Sequence, residues 1–325
     1  MNSFTIAKEN KHGFETYLLR NELKDWQVEI LPSFGARVNR FEIPISGKRH
    51  SIIKGFQRVS DIENASISGF YGAHLFPFPN RIKKGSYTFE GENYQLPINE
   101  ISRQHALHGF LHNQAFRYSS KTITEGNAQI SFEYESDKKQ KGYPFHFIFR
   151  VNYILNHEGL HLEITVCNKD IIAFPVGYGW HPYLDLDAAI QELEIDIPSQ
   201  QYMELDNHFI PTGNLITSNT DDKLGKLDAR NFDTCFVLEP APKQQETIVM
   251  NRQGSLKIAL YQKSGDQGLN YVQLFTPDTG DCIAVEPMSC PPARFNSDPE
   301  SVALQPGDKR LWECGLRIDS AFSNK

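Results

Sequence analysis

The chain has 325 residues, of which 39% are hydrophobic and 22% charged, and its formal net charge is −7. This composition predicts a globular protein with a large core, because Leu, Ile, Val and Phe are plentiful. Nucleic acids and anionic membrane surfaces attract clustered basic charge, whereas the lysines and arginines are scattered here, so neither is an expected partner.

The sequence also gives an expectation about the compartment. The first residues, MNSFTIAKENKHGF, contain no apolar stretch of the kind that a secretory signal requires. Nowhere do about eighteen apolar residues run together, so we expect no membrane-spanning helix. The five cysteines are an odd number without C-x-x-C spacing, which favours free thiols and argues against a zinc–cysteine site. We therefore expect a cytoplasmic protein.

The first predicted elements in chain order are a helical turn and two hairpins. SDIENASI, near residue 60, is compatible with a turn or two of helix. The segment GSYTFEGENYQLPI predicts a hairpin with Gly91 in its turn. In FHFIFRVNYIL every second residue from Phe145 to Leu155 is apolar or aromatic, which is typical of a strand with one buried face. Alternation resumes after the turn NHEG, so we expect a long hairpin.

Later elements follow the same pattern. DDKLGKL, near residue 222, is compatible with a helical turn. IVMNRQGSLKIALY predicts a third hairpin that turns at Asn251 to Gly254, and SVALQPGDKRLWECGLRI predicts a last one that turns at Pro306-Gly307. The residues expected on one face of that last strand are Trp312, Cys314, Leu316 and Ile318.

This order of elements predicts an all-β protein. Short strands punctuated by Gly and Pro, with few helical windows, indicate stacked antiparallel sheets. No Gly/Ser-rich linker and no repeat divides the chain. We therefore expect residues 1–325 to form a single large antiparallel β-sandwich domain.

Three histidines lie close together in HALHGFLH. His105, His108 and His112 are spaced as i, i+3 and i+7, and on a helix they would share one face, as metal ligands do. Gly109 interrupts the segment and no cap supports a helix, so a metal site is not favoured. A cupin-like site, with histidines and a glutamate inside a β-barrel, is the specific alternative. For His105 and His112 we expect surface positions.

Two acidic residues lie next to apolar strands. Glu286 follows Ile283 and Val285 and precedes a proline, and partial burial there would raise its pKa into the range of a general base. Its alternative role is a strand-end ion pair with Arg294. Asp233 precedes a short apolar strand and by itself indicates a turn or cap.

Arg81 and His181 lie in aromatic-rich segments that do not alternate. Arg81, in FPFPNRI, suits either an ion pair or a ligand with oxygen atoms, such as a sugar or a phosphate. His181, in VGYGWHPYLDL, is compatible with a packed residue, a metal ligand or a proton donor. The nearby aromatics suit either sugar faces or the core, and they are Phe76, Phe78, Phe110, Trp180 and Tyr183.

The order of these motifs resembles the aldose 1-epimerase (galactose mutarotase) family over about residues 20 to 318. The motifs that carry the resemblance are NRIKKGSYTFEGENYQLPIN, ALHGF, GYPFHFIFRVNYIL, GWHPYLDL, IPTGNL, FDTCFVLE and VEPMSCPPARFN. The resemblance implies a large antiparallel β-supersandwich of the galactose mutarotase-like type, with an open sugar-binding face. It also implies a small-molecule sugar substrate, no metal and no organic cofactor, in a monomer or a homodimer.

The resemblance further implies residue roles. Glu286 matches the catalytic base, His181 matches the acid, and His108 matches a second histidine that assists at the ring oxygen. The residues that it places at the substrate are Arg81, Asp233, Asn80 and Tyr183. The expected reaction is mutarotation of a free aldohexose, in which a base takes the proton of the C1 hydroxyl and an acid protonates the ring oxygen.

Other activities stay open at this point. The chain departs from familiar family members at Phe110, Trp180 and Leu184, so these residues are expected to influence which sugar is preferred. A hexose-6-phosphate 1-epimerase is the alternative enzyme, with a phosphate site made by Arg81, Arg103 and Arg294. A non-catalytic carbohydrate-binding protein of the same fold is a further alternative. A glycosidase that uses two carboxylates is not favoured, because the sequence does not indicate the separation it requires.

Overall fold

The computed structural model describes residues 3–11, 13–63, 69–217, 225–226, 232–239, 241–252 and 256–320. The strands of the first half are β1 Phe4–Lys11, β2 Phe14–Asn21, β3 Trp26–Leu31, β4 Arg37–Ile45, β5 Lys48–Ser51, β6 Ala73–Leu75, β7 Arg81–Ile82, β8 Ser86–Phe89, β9 Glu92–Gln95, β10 Ala106–Leu107, β11 Arg117–Ile123, β12 Asn127–Glu135, β13 Phe147–Asn156 and β14 Gly159–Asn168. The strands of the second half are β15 Phe174–Pro175, β16 Gly179–His181, β17 Tyr183–Leu184, β18 Leu193–Asp196, β19 Gln201–Leu205, β20 Pro211–Thr217, β21 Gly225–Lys226, β22 Asp233–Val237, β23 Gln244–Asn251, β24 Leu256–Lys263, β25 Tyr271–Phe275, β26 Ile283–Met288, β27 Ala303–Leu304 and β28 Lys309–Ser320.

Helices are short in the part of the chain that the structure describes. The two α-helices are α1 Val59–Glu63 and α2 Arg294–Ser297, and the 3₁₀ turns are Lys83–Gly85, Leu111–Asn113, Ile190–Glu192 and Glu300–Val302. None of the described helices is long and apolar enough to cross a membrane.

Three antiparallel sheets contain most of the strands. A five-stranded meander runs β1-β2-β3-β4-β5, and a nine-stranded sheet has the order β11-β12-β13-β14-β28-β24-β23-β18-β21. The third sheet has the order β20-β19-β22-β25-β26-β16-β6, with β17 paired to β26. Their inward side chains form one large apolar cluster. The predicted all-β antiparallel architecture is therefore confirmed.

The β13–β14 hairpin shows why alternation predicts this fold. Phe147 pairs with Asn168 and Leu155 with Leu160. Successive side chains of a strand point to opposite faces, and every predicted inward residue from Phe145 to Val166 is buried. The hairpin at Gly91 also forms, between β8 and β9.

The other predicted elements have mixed outcomes. Strands β23 and β24 pair as a hairpin, but turn residues 253–255 lie outside the described residues. Helix α1 covers part of SDIENASI, and residues 64–68 are not described. In DDKLGKL, the described pair Gly225–Lys226 is a strand and not a helical turn, while the rest lies outside the described residues.

The predicted hairpin at Pro306-Gly307 is wrong. Strand β27 pairs with β15, because both edges of β28 are already taken by β14 and β24 in the nine-stranded sheet. The predicted inward face of β28 is nevertheless correct, since Trp312, Cys314 and Leu316 are buried and Ile318 packs against the same core.

His74 is part of a buried series of hydrogen bonds in the core. Its Nδ1 lies 2.9 Å from the Tyr178 hydroxyl and its Nε2 lies 2.6 Å from the Tyr153 hydroxyl. Tyr153 donates its only hydroxyl hydrogen to the carbonyl of Ala36, so it must accept from His74 Nε2–H. Burial lowers the pKa of this imidazole to about 3, so it is neutral near neutral pH.

This histidine should make stability depend on pH. Unfolding exposes the imidazole, whose pKa then returns to about 6.5, so the unfolded chain binds more protons than the folded chain below that pH. The free energy of unfolding should fall as the pH decreases from about 6.5 towards 3. In His74→Gln, unfolding at about pH 5 should take up about one proton fewer than in the wild type, as measured by urea unfolding at a series of pH values. An unchanged pH slope would contradict this account of His74.

Gly109 is expected to be essential for stability. Its φ is +65° and an added Cβ would lie 2.0 Å from the carbonyl oxygen of Phe76, an oxygen that also accepts the N–H of Phe110. Gly91→Ala is a matched control, because φ is +82° but nothing lies within 4 Å. We expect a loss of about 1 kcal/mol for Gly91→Ala and at least about 3 kcal/mol for Gly109→Ala, measured by urea unfolding. Equal losses would show that the close approach at Gly109 is unimportant.

Candidate active site

The third sheet, which has eight strands when β17 is included, brings four polar side chains to one face: Asp233, Gln273, Glu286 and His181. In the register of β22, β25 and β26, Cys235 lies beside Gln273, which lies beside Glu286. Asp233 is two residues from Cys235, and alternation places it on the same face. Strand β16 pairs with β26 on the other side, which sets His181 next to Glu286.

His181 and Glu286 form a direct, buried pair. The Nε2 of His181 lies 3.2 Å from Oε1 of Glu286, and both side chains are buried. Burial raises the pKa of Glu286 well above its ordinary value, and the nearby Asp233 charge adds to this. Burial lowers the pKa of His181 to about 3. Burial therefore favours the uncharged form of each member, a carboxylic acid and a neutral imidazole.

Each member of the pair also has one polar atom without a protein partner. His181 Nδ1 and Glu286 Oε2 are buried and make no hydrogen bond to the described residues. Such atoms are rare in folded proteins, because an unsatisfied buried polar group costs about 1–3 kcal/mol. A hydroxyl-rich ligand would satisfy both.

His108 is held in place by Asn80. The backbone N–H of Asn80 donates to Nδ1 of His108 (3.1 Å), and the N–H of His108 donates to the carbonyl of Asn80 (2.9 Å). Because Nδ1 accepts, Nε2 carries the hydrogen of the neutral ring. Burial lowers the pKa of His108 well below its ordinary value, and nearby His181 lowers it further. The rings of these two histidines lie 5.2 Å apart.

Arg81 is surrounded by oxygen acceptors. Its Nε lies 3.0 Å from Oε2 of Glu100, and its Nη2 lies 3.3 Å from Oδ2 of Asp233. Arg103 reaches the same Glu100 at 2.8 Å. Burial raises the pKa of Asp233, and Arg81 opposes that shift. Two arginines thus face two carboxylates, so this end of the site has little net charge.

Sequence reasoning missed two residues of this network. Gln273 donates from Nε2 to Asp233 (2.6 Å) and accepts at Oε1 from the Asn80 amide (3.2 Å). A polar residue in an inward position of YVQLF was the available signal. Glu100 is completely buried, and nothing in its local sequence marks it. Asn80 itself accepts the N–H of Arg81 at 2.9 Å, so its amide is used to organise the site.

Aromatic rings form the walls beside the histidines. Tyr183 stacks on His181 with ring centroids 4.8 Å apart. Phe70 contacts His108 edge-on at 4.6 Å and lies 6.2 Å from His181. These rings exclude water and so strengthen the electrostatic interactions between the polar groups.

Arg37 fixes the segment that carries Phe70. This arginine is completely buried, and among the described residues no carboxylate forms an ion pair with it. Burial lowers its pKa to about 10. Its guanidinium donates to the carbonyls of Phe34 (2.9 Å), Gly69 (3.0 Å), Tyr71 (3.2 Å) and His112 (2.7 Å). It therefore joins both neighbours of Phe70 to the segment after His108.

The HALHGFLH segment has one expected feature and one that is wrong. It forms a short strand and a 3₁₀ turn, in agreement with the expectation that Gly109 argues against a helix. His105 is buried and accepts the N–H of Lys84, and His112 is partly buried and contacts Phe70. The surface positions expected for these histidines are therefore incorrect, because the chain turns back at Gly109 and packs them inward.

Phe110 and Trp180, at which the chain departs from familiar family members, lie away from the site, and so does Arg294. Trp180 is in the core, since alternation points it to the face of β16 opposite His181. Phe110 packs against the same core. Arg294 pairs weakly with Asp298 (3.5 Å) and lines a cavity of about 410 Å³ made by other residues, including Tyr271. It joins neither Glu286 nor Arg81.

The described residues contain two clusters with spacings that a metal ion could use. In each, the potential donor atoms lie within 4.8 Å of one another, and the clusters are His108–His181–Glu286 and His161–Glu163–Glu313. In the first, Nε2 of His181 already lies 3.2 Å from Oε1 of Glu286. The absence of a metal requirement therefore stays a prediction.

Comparisons with known proteins identify the family of this chain. The family model described as aldose 1-epimerase matches residues 15–317. The uncharacterized protein YihR of Escherichia coli K12 is 34% identical over 247 residues, which cover 73% of this chain and 75% of YihR. The galactose mutarotase of Rattus norvegicus is 26% identical over 205 residues, which cover 61% of this chain and 56% of that protein.

A solved structure has the same fold. A galactose mutarotase-like protein from Clostridium acetobutylicum superimposes with a TM-score of 0.85 at 20% identity, over 98% of this chain and 100% of that one. The galactose mutarotase-like fold is thus confirmed. Because the family model covers most of the chain, the protein belongs to the aldose 1-epimerase family and is an isomerase with activity of the mutarotase type.

Proposed function

We propose that the protein interconverts the α and β anomers of a free aldohexose, with Glu286 as the base and His181 as the acid. The observation that carries this proposal is their direct contact at 3.2 Å in a buried site. The C1 hydroxyl and the ring oxygen of a cyclic aldose share one carbon, so a base and an acid in contact can reach both.

The ring-opening step moves two protons and breaks one bond. The Glu286 carboxylate takes the proton of the C1 hydroxyl while C1 becomes a carbonyl. The electron pair of the C1–ring oxygen bond goes to the ring oxygen, which takes a proton from the His181 imidazolium. Rotation about C1–C2 then presents the other face of the aldehyde, and the same transfers in reverse close the ring.

The buried environment favours this direction of proton flow. Opening the ring converts the charged pair into a neutral carboxylic acid and a neutral imidazole, the forms that burial favours. Sugar hydroxyls that contact His181 Nδ1 and Glu286 Oε2 would stabilise the charged pair before reaction. Sugar binding thus favours the charged protonation state that reacts. Ring opening then removes the free-energy cost of keeping two charged groups buried.

Neighbouring groups would position the sugar. His108 offers a neutral Nε2–H donor beside His181, suited to the ring oxygen or an adjacent hydroxyl. Asp233 and Arg81 offer acceptors and donors for the hydroxyls at the other end of the ring. Tyr183 supplies an apolar face next to His181. Orientation of this kind contributes to the rate by fixing the reacting atoms.

The charges favour a neutral aldose over a sugar phosphate. Arg81 and Arg103 are both paired with Glu100, and Asp233 adds a further carboxylate. Arg294, the third residue of the predicted phosphate site, pairs with Asp298 instead. A dianionic phosphate would have to displace these carboxylates, whereas hydroxyl groups can bind among them.

Polarimetry with fresh α-D-glucose and α-D-galactose tests the proposal. Protein dialysed against a metal chelator should speed equilibration, and Glu286→Gln should lower kcat/KM by about 10²–10⁴-fold, because it removes the base. Glu135→Gln, which changes an exposed carboxylate on a different sheet, should match the wild type.

Other outcomes separate the alternatives. Equal rates for Glu286→Gln and wild type would show that Glu286 is not the base. Sugar binding without any acceleration would indicate a carbohydrate-binding protein. A strong preference for glucose 6-phosphate would favour the phosphorylated substrate, and activity that a divalent metal restores after dialysis would contradict the metal-free mechanism.

A further inference from the structure

A second group of polar side chains lies on the outer face of the nine-stranded sheet. Strand β28 lies between β14 and β24, and inward residues of these strands, such as Leu162 and Cys314, are buried in the core. The alternate residues therefore face outward. Three of them, His161, Glu163 and Glu313, are partly buried there. They lie on a different sheet from the acid–base pair.

The pairing register brings these three side chains together. Glu163 of β14 lies opposite Glu313 of β28, and His161 lies opposite Gly315. Because Gly315 has no side chain, its other neighbour Tyr261 of β24 can reach across β28. The Tyr261 hydroxyl lies 2.6 Å from Nδ1 of His161, and the two rings are within 6° of parallel. This contact fixes the imidazole with Nε2 towards the two carboxylates.

The distances leave room for an ion between the three side chains. Nε2 of His161 lies 3.7 Å from Oε1 of Glu163 and 3.7 Å from Oε1 of Glu313, and both distances are too long for a hydrogen bond. One donor atom of each residue lies within 4.8 Å of the other two. A tetrahedral ion with bonds of about 2.0–2.2 Å separates its ligand atoms by roughly 3.3–3.6 Å. Small side-chain rotations would bring the donors to those separations.

The charges of this group also favour a cation. Glu163 and Glu313 lie directly opposite each other, an arrangement that is destabilising for like charges. Lys263 Nζ lies 2.7 Å from Oε2 of Glu313, whereas Glu163 accepts from the uncharged amide of Asn152 at 3.0 Å. Within the group, one positive charge thus faces two negative charges, and a cation between the carboxylates would balance them.

We propose that His161, Glu163 and Glu313 bind a Zn²⁺ ion on the outer face of the nine-stranded sheet. An imidazole nitrogen and carboxylate oxygens are ordinary ligands of Zn²⁺, whereas Mg²⁺ and Ca²⁺ prefer oxygen ligands alone. A water molecule completes the four ligands on the side open to solvent. Tyr261 accepts the Nδ1–H of the bound imidazole, and Lys263 turns towards solvent. The ion links β14 to β28 and takes no part in the proton transfers.

Calorimetric titration of untagged, chelator-dialysed protein with zinc chloride tests this site. We expect the wild type to bind a single Zn²⁺ per chain, and His161→Gln to bind it at least about tenfold less tightly. Tyr261→Phe keeps the stacked ring but removes the hydroxyl, so binding should weaken about tenfold. Lys263→Met should instead tighten binding about threefold to tenfold, because it removes the cation that competes for Glu313.

A matched control and a spectroscopic readout accompany the titration. His146 lies 3.1 Å from a carboxylate oxygen of Glu135, but it belongs to no group of three potential metal ligands among the described residues. His146→Gln should therefore bind Zn²⁺ as the wild type does. With Co²⁺ in place of Zn²⁺, the wild type should show the intense visible absorption of a tetrahedral complex, and His161→Gln should not.

The outcomes separate this site from the candidate active site. Equal affinity for Zn²⁺ in wild type and His161→Gln overturns the proposal. Binding that is lost in Glu286→Gln but kept in His161→Gln also overturns it, because the ion would then lie at the acid–base pair. Binding that is weakened in His161→Gln, kept in Glu286→Gln and tightened in Lys263→Met supports it. These readouts do not depend on whether the protein anomerises a sugar.

Discussion

The contact between His181 and Glu286 is the interaction on which the rest of the site depends. The two side chains lie 3.2 Å apart and are both buried. Burial favours the protonated carboxylic acid of Glu286 and the unprotonated imidazole of His181. Burial shifts both pKa values towards the neutral forms. An isolated charge there would be costly, but a pair that shares one proton can alternate between a charged and a neutral form without a change in net charge.

The surrounding structure excludes water from this pair and fixes its orientation. Arg37, itself buried, is satisfied by four carbonyls and so holds the segment that places Phe70 against the histidines. Asn80 and His108 exchange hydrogen bonds. Polar groups around the pair are thus largely committed to protein partners, and the two unpaired atoms of His181 and Glu286 are left for the ligand.

Sequence patterns predicted the sheets well because burial on one face of a strand imposes a period of two. The β13–β14 hairpin follows directly from this rule. Strand β27 does not, because its partner depends on which edge is free in three dimensions. Glu100 also has no local signal, since its role comes from Arg81, nineteen residues away. His105 was misplaced because a polar residue can be buried wherever a partner such as Lys84 N–H exists.

The protonation state of His181 tests this account most directly. In protein labelled with ¹⁵N-histidine, comparison with His181→Asn identifies its imidazole signals by NMR. We predict that, in the sugar-free protein, His181 stays neutral from about pH 8 down to about pH 5, because burial lowers its pKa to about 3. Protonation with a midpoint near the ordinary value of about 6.5 would show that water reaches the site, and would contradict the neutral His181–Glu286 pair.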